Sequence, residues 1–191
     1  MRCATCTTRG WRSTQYGYDQ QPLYSHDVSA YAIRLYGDPV LKQVAAPIDN
    51  IDGAVKALAD AMIDSMYEVH GLGLAAPQVG VQKRLFVYDL YDGEGAKVIV
   101  NPTLSEFDGE WTFDEGCLSL PGLYFPITRP KIVHLTGYDV DGNEVSIEAD
   151  EILARAFQHE LDHLNGTLLL EHLDKDQRKE ALRELRQRAT A

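Results

Sequence analysis

The stretch His159-Glu160-Leu161-Asp162-His163 constrains this chain more than any other. Two histidines four residues apart can serve one centre only if the backbone between them is helical. On an α-helix their rings stand about 40° apart around the axis and one turn apart along it, so both can reach a single ion. Glu160 then points in a neighbouring direction. From there it can address a water on that ion without being a ligand, which is the placement that general acid/base work needs. The flanks agree with a helix: residues 152–164 carry apolar side chains at helical spacing, Asp150 stands at a cap position, and Asn165-Gly166 supplies left-handed residues that stop a helix. The five-residue pattern also fits two surface histidines on an acidic helix, so a third donor is required before it means metal.

Catalytic sites of this kind take three protein ligands and keep one position open. A third histidine six residues after the second, as metzincins have, is absent: Leu169 occupies that place, although Gly166 matches the intervening glycine. Glu180 and Glu184 lie further on among Arg178, Lys179, Arg183 and Arg186, where solvated ion pairs are the simpler account. Cys117 remains. Alone it reads as a small buried hydrophobe; beside the histidine pair it becomes the third ligand, carried on the irregular backbone that Gly and Pro impose between Asp114 and Gly122. A third feature is Gly71-Leu72-Gly73-Leu74-Ala75-Ala76-Pro77-Gln78. Its glycine spacing excludes a dinucleotide fingerprint, and no Lys-Ser/Thr follows to make a phosphate loop. It reads either as a tight connection or as a place where Gly71 and Gly73 let a substrate backbone approach and Gln78 offers an amide donor to a developing oxyanion.

Around these motifs the patterning predicts an α+β fold, with mixed, largely antiparallel strands packed around the central metal-binding helix. A helix is expected from Val55, with Asp52 as cap, apolar residues at Leu58, Ala59, Met62, Ile63, Met66 and Val69, and an end at His70-Gly71. Short strands are expected over 84–90, 97–101 and 123–128. Residues 131–140 and 144–149 flank Asp141-Gly142, the signal for a tight hairpin. Asp38-Pro39 caps a short turn, and residues 175–188 form a charged helix laid on the surface.

The 191 residues suffice for one domain. A net charge of −11, from 18 Lys+Arg against 29 Asp+Glu, argues against DNA and other nucleic acid as partners, and no apolar run is long enough to cross a membrane. Residues 1–29 read as a disordered or poorly ordered extension. They carry Arg2, Arg9 and Arg12 with no acid before Asp19, so an organelle transit peptide is the alternative to a plain tail. Cys3 and Cys6 lack a second ligand pair, and three cysteines make no disulfide framework, which fits a reducing compartment.

The glycine-rich segment from Gly71 to Gln78, Glu115-Gly116-Cys117-Leu118-Ser119 and Gln158-His159-Glu160-Leu161-Asp162-His163, in that order, together resemble the peptide deformylases. The likeness covers residues 30–191, read as one catalytic domain. It implies a metal-dependent hydrolase that removes the formyl group from the N-terminal formyl-methionine of nascent polypeptides and releases formate. Metal-bound hydroxide attacks the formyl carbon in that scheme. By resemblance Cys117, His159 and His163 ligate one divalent ion, with Fe(2+) as the cellular metal and Zn(2+), Ni(2+) or Co(2+) as substitutes. Glu160 is the general acid/base, and Gln78 with the Leu118 backbone N–H holds the oxyanion. The peptide runs past Gly71, Leu72, Gly73 and Gly116, and Leu72 with residues around Phe157 forms the methionine slot. The implied partners are N-formylmethionyl peptides and the ribosome, the location bacterial cytoplasm, or a mitochondrion or plastid if the extension is a transit peptide. Tyr124 departs from the cationic residue that many relatives carry there.

Overall fold

The computed structural model describes residues 31–188; the expectations for 1–29 lie outside them. Helix α1 (Gly53–Glu68) begins where Asp52 accepts hydrogen bonds from the N–H groups of Ala54 and Val55. Its buried stripe is Val55, Leu58, Met62 and Met66. The helix ends at Glu68 with Val69 as its cap, and His70 beyond it takes a left-handed φ of +53°. Val69 was expected on the stripe but falls just past the last turn and is 42% exposed.

Five antiparallel strands follow in the spatial order β1-β2-β3-β6-β7: β1 (Gly73–Ala75), β2 (Leu85–Tyr88), β3 (Lys97–Asp108), β6 (Ile132–Tyr138) and β7 (Glu144–Asp150). A separate pair, β4 (Trp111–Gly116) with β5 (Tyr124–Arg129), lies in sequence between β3 and β6. Strand β2 is buried at every position. Leu85 and Val87 meet the stripe of α1 on one face, while Phe86 and Tyr88 meet Ala154, Phe157 and Leu164 of α2 (Glu151–Leu164) on the other. A continuous apolar run is what two-sided burial demands. A third cluster joins Cys117, Leu120, Leu123 and Ile127 to Leu169, Leu170 and Ala181 of α3 (Lys175–Arg188).

Several expectations shift. Strand β3 runs seven residues past the anticipated end at Asn101, because Asn101 at φ +50° and the register breaks between Val100/Thr103 and Ser105/Asp108 bend the strand without ending it. The hairpin turn closes through Gly142 N–H to Asp139 C=O, so Gly142 at φ +82° ends the turn and Asp141-Gly142 is not its centre. At α2, Asp150 occupies the cap position but its side chain makes no cap hydrogen bond. Strand β7 runs straight into the helix, and the Glu151 N–H is taken by the Lys131 carbonyl. At the other end only Gly166 is left-handed (φ +72°); Asn165 is not. Among the described residues no helix is long and apolar enough to cross a membrane.

Candidate metal centre

Helix α2 lies under β1, and its inward face carries His159, Glu160 and His163. Glu160 and His163 are buried at 3% and 1% exposure. Cys117 follows the last residue of β4 in a turn closed by the Leu120 N–H on the Cys117 carbonyl, which brings its thiol onto the same point. Cys117 Sγ stands 3.3 Å from His163 Nε2, and His163 Nε2 stands 3.2 Å from His159 Nε2. All three donor atoms lie within 4.8 Å of one another.

These separations fit a shared cation. Around a tetrahedral ion with metal–nitrogen distances of about 2.0–2.1 Å and metal–sulfur of about 2.3 Å, two nitrogens sit ~3.3 Å apart and a sulfur and a nitrogen ~3.6 Å apart. With a lone pair on each Nε2 atom, a cation between the rings would remove the repulsion at this 3.2 Å separation. One thiolate and two imidazoles form a donor set suited to zinc or iron.

Glu115 sets the orientation of His159. Its Oε1 accepts from His159 Nδ1 at 2.7 Å and from Arg129 Nη2 at 2.7 Å, and its Oε2 accepts from Arg129 Nε at 2.9 Å and Arg155 Nη1 at 2.7 Å. In the neutral ring, Nδ1 donating to Glu115 leaves the Nε2 lone pair toward Cys117 and His163, the form in which His159 can ligate a cation. Burial pushes the Glu115 carboxyl up, but the bonds and charges of His159 and Arg129 outweigh it and hold the group well below the usual carboxylate range. Arg129 continues to Asp162 Oδ2 at 2.9 Å, which also accepts from His172 Nε2 at 2.7 Å. The Arg155 guanidinium lies 5.1 Å over the Trp111 ring. Sequence reasoning placed Glu115 and Asp162 in motifs without giving them work and missed Arg129 and Arg155. No spacing rule links a residue ending one strand to arginines on another strand and a helix.

Glu160 Oε2 is buried with no protein hydrogen-bond partner. Burial drives its pKa up, Glu115 and Asp162 add to the rise, His159 and the Ala75 N–H oppose it, and the carboxyl settles at about 7. The Gln78 side chain is 1% exposed, and its Oε1 accepts the Ala75 N–H at 2.9 Å. That bond turns Nε2 toward Ser119 Oγ at 3.3 Å and Cys117 Sγ at 4.0 Å. Leu118 follows Cys117 directly, with its side chain against Gly71.

The glycines show a cause that the sequence hid. A Cβ on Gly73 would lie 2.9 Å from the Glu160 carboxyl carbon, and one on Gly116 would lie 2.6 Å from the Tyr124 ring. Both make room for the protein's own side chains. Leu72 is 45% exposed beside the site. Phe157 is not a slot residue: it is fully buried against Phe86 and Tyr88, because two helical positions from His159 is nearly the opposite side of α2. Glu180 and Glu184 pair with Arg183 and Arg188 along α3 and stay out of the centre.

The family model described as Polypeptide deformylase matches residues 30–179. Peptide deformylase 1 of Clostridium perfringens is 46% identical over 140 residues, covering 73% of this chain and 95% of that protein. The chain belongs to the peptide deformylase family. It is therefore a hydrolase of a metal-dependent family that removes formyl groups from polypeptides. Among solved structures, the peptide deformylase of Legionella pneumophila superposes with a TM-score of 0.81 at 37% identity, covering 85% of this chain and 96% of that one. The Ehrlichia chaffeensis peptide deformylase in complex with actinonin superposes at 0.79 with 35% identity, covering 84% and 98%. The deformylase fold is thus the α+β arrangement described above.

Proposed function

We propose that this deformylase acts on the N-terminal formyl-methionine of newly made polypeptides, with Cys117, His159 and His163 holding one divalent cation. The observation that carries the proposal is the convergence of Cys117 Sγ and two histidine Nε2 atoms beside Glu160 Oε2, a buried carboxylate oxygen with no protein partner. A cation bound there supplies Lewis acidity, acidifying water and polarising a carbonyl oxygen. Fe(2+) is the proposed cellular metal, and Zn(2+), Ni(2+) and Co(2+) suit the same donors.

The protein's own groups do the rest. Glu160, poised at about 7, takes one proton from water at Oε2 as the water oxygen bonds to the formyl carbon, then passes that proton to the departing amine nitrogen as the formyl C–N bond breaks, leaving formate and a free N-terminus. Gln78 Nε2 and the Leu118 N–H donate to the formyl oxygen as it gains charge. Strand β1 ends the five-stranded sheet, and the Leu72 carbonyl turns toward β2 to accept the Asp89 N–H. Alternation along the strand puts the N–H and C=O of Gly73 on the outer edge, where an extended peptide adds by main-chain bonds that ignore side-chain identity. Leu72 supplies apolar surface to the methionine. In this reading residues 30–191 are the catalytic domain, the location is bacterial cytoplasm, and the basic side chains of α3 face the ribosome.

The test is formate release from formyl-Met-Ala-Ser by anaerobically prepared, metal-loaded protein. Glu160→Gln is expected to bind metal normally and to lose about 10²–10⁴ in turnover. Wild-type protein that releases no formate, or a Glu160→Gln variant as active as wild type, would sink the proposal.

A further inference from the structure

We infer that Tyr91, fixed by Asp89 and Tyr67, is a positioning residue for the part of a peptide substrate that lies beyond its methionine; the inference rests on the function proposed above. Asp89 is 5% exposed, and the reaction has no use for its carboxylate. Its Oδ2 accepts from the hydroxyl of Tyr67 on α1 at 2.6 Å, and its Oδ1 accepts the Tyr91 N–H at 2.7 Å. Its own N–H donates to the Leu72 carbonyl at 3.0 Å. Tyr91 reaches back in turn, its hydroxyl donating to the Gly71 carbonyl at 3.2 Å, while its ring stands 6.0 Å from that of Tyr67. The start of the β2–β3 connection is therefore a strap across the segment leading into β1.

Two features mark the strap as a built device. Tyr91 holds a φ of +56°, a left-handed backbone that residues with side chains rarely adopt and that persists only when neighbouring bonds fix it. The segment it grips needs gripping, because Gly71-Leu72-Gly73 has two glycines and β1 is a three-residue edge strand.

Direction connects the strap to substrate. Strand β1 runs toward Gln78, so a chain whose formylated end sits between Gln78 and Glu160 must leave backward along β1, past Leu72 to Gly71. Formyl-methionine alone ends near Gly73; residues after the methionine lie beside the strapped stretch. Holding that edge in place before binding removes an ordering cost that longer substrates would otherwise meet.

The experiment measures kcat and KM for formyl-Met-Ala-Ser and for formyl-methionine with wild type, Tyr91→Phe and Asp89→Asn, with metal content determined for each. Tyr91→Phe removes one hydroxyl from a half-exposed ring. It is expected to raise KM for the tripeptide about two- to tenfold, the range of one hydrogen bond, with kcat, metal content and both constants for formyl-methionine unchanged. Asp89→Asn is expected to shift the same constant in the same direction. An unchanged tripeptide KM in Tyr91→Phe overturns the inference, as does an equal loss with both substrates. Absence of formate from wild type with either substrate brings down the deformylase reading and this inference with it.

Discussion

The amide of Gln78 has one orientation available, because its oxygen is already committed to the Ala75 N–H. The end facing Cys117 is a donor by elimination, as an oxyanion requires. Gln78→Ala is expected to lower turnover by about 10²–10³ with little change in metal content, read from formate release beside metal analysis. Gly73 makes a sharper case. The substitution Gly73→Ala would press a methyl group into the Glu160 carboxylate. We expect a folded, metal-binding protein whose kcat falls at least tenfold; full activity would show that Glu160 has room to spare. Both residues were visible in the sequence as motif members. The sequence could show that a glycine stood there, but not that a glutamate on a helix about ninety positions later occupied the space beside it.

Elements were predicted well where their causes are local. Asp52 caps α1 as its position implies, accepting from Ala54 and Val55, and Asp52→Ala is expected to cost about 1 kcal/mol in urea unfolding. The alternating runs over β6 and β7 pair in register from Ile132↔Asp150 to Tyr138↔Glu144. Elements whose causes are distant were misread. Asn101-Pro102 looks like a strand end, yet β3 continues through two register breaks because β6 lies alongside to receive it. Strand β4 was not anticipated, since Asp114, Glu115 and Gly116 are poor strand formers and only their pairing with β5 keeps them extended. Asp150 promised a cap that the junction with β7 made unnecessary.

For the molecule as a whole, β2 is the layer on which α1 and α2 rest, and α2, which carries His159 and His163, is held in place by the sheet that α1 supports from the other side. Met62 is fully buried in the α1 layer. Met62→Ala is expected to destabilise the fold by about 2–5 kcal/mol, measured by denaturant midpoint, and a shift under 1 kcal/mol would mean that this layer closes around the gap.

The amino-acid sequence alone determined the helical spacing of His159, Glu160 and His163, the capped start of α1 and the alternation of the paired strands, because each depends on neighbours within a few residues. It also carried three motifs specific enough to place the chain among deformylases. Only the tertiary structure decided that Cys117 meets two imidazoles, that Glu115 aims one of them, and that Tyr91 grips the glycine segment. Those contacts join residues far apart in the chain, and their energies exist only once the sheet and helices have packed.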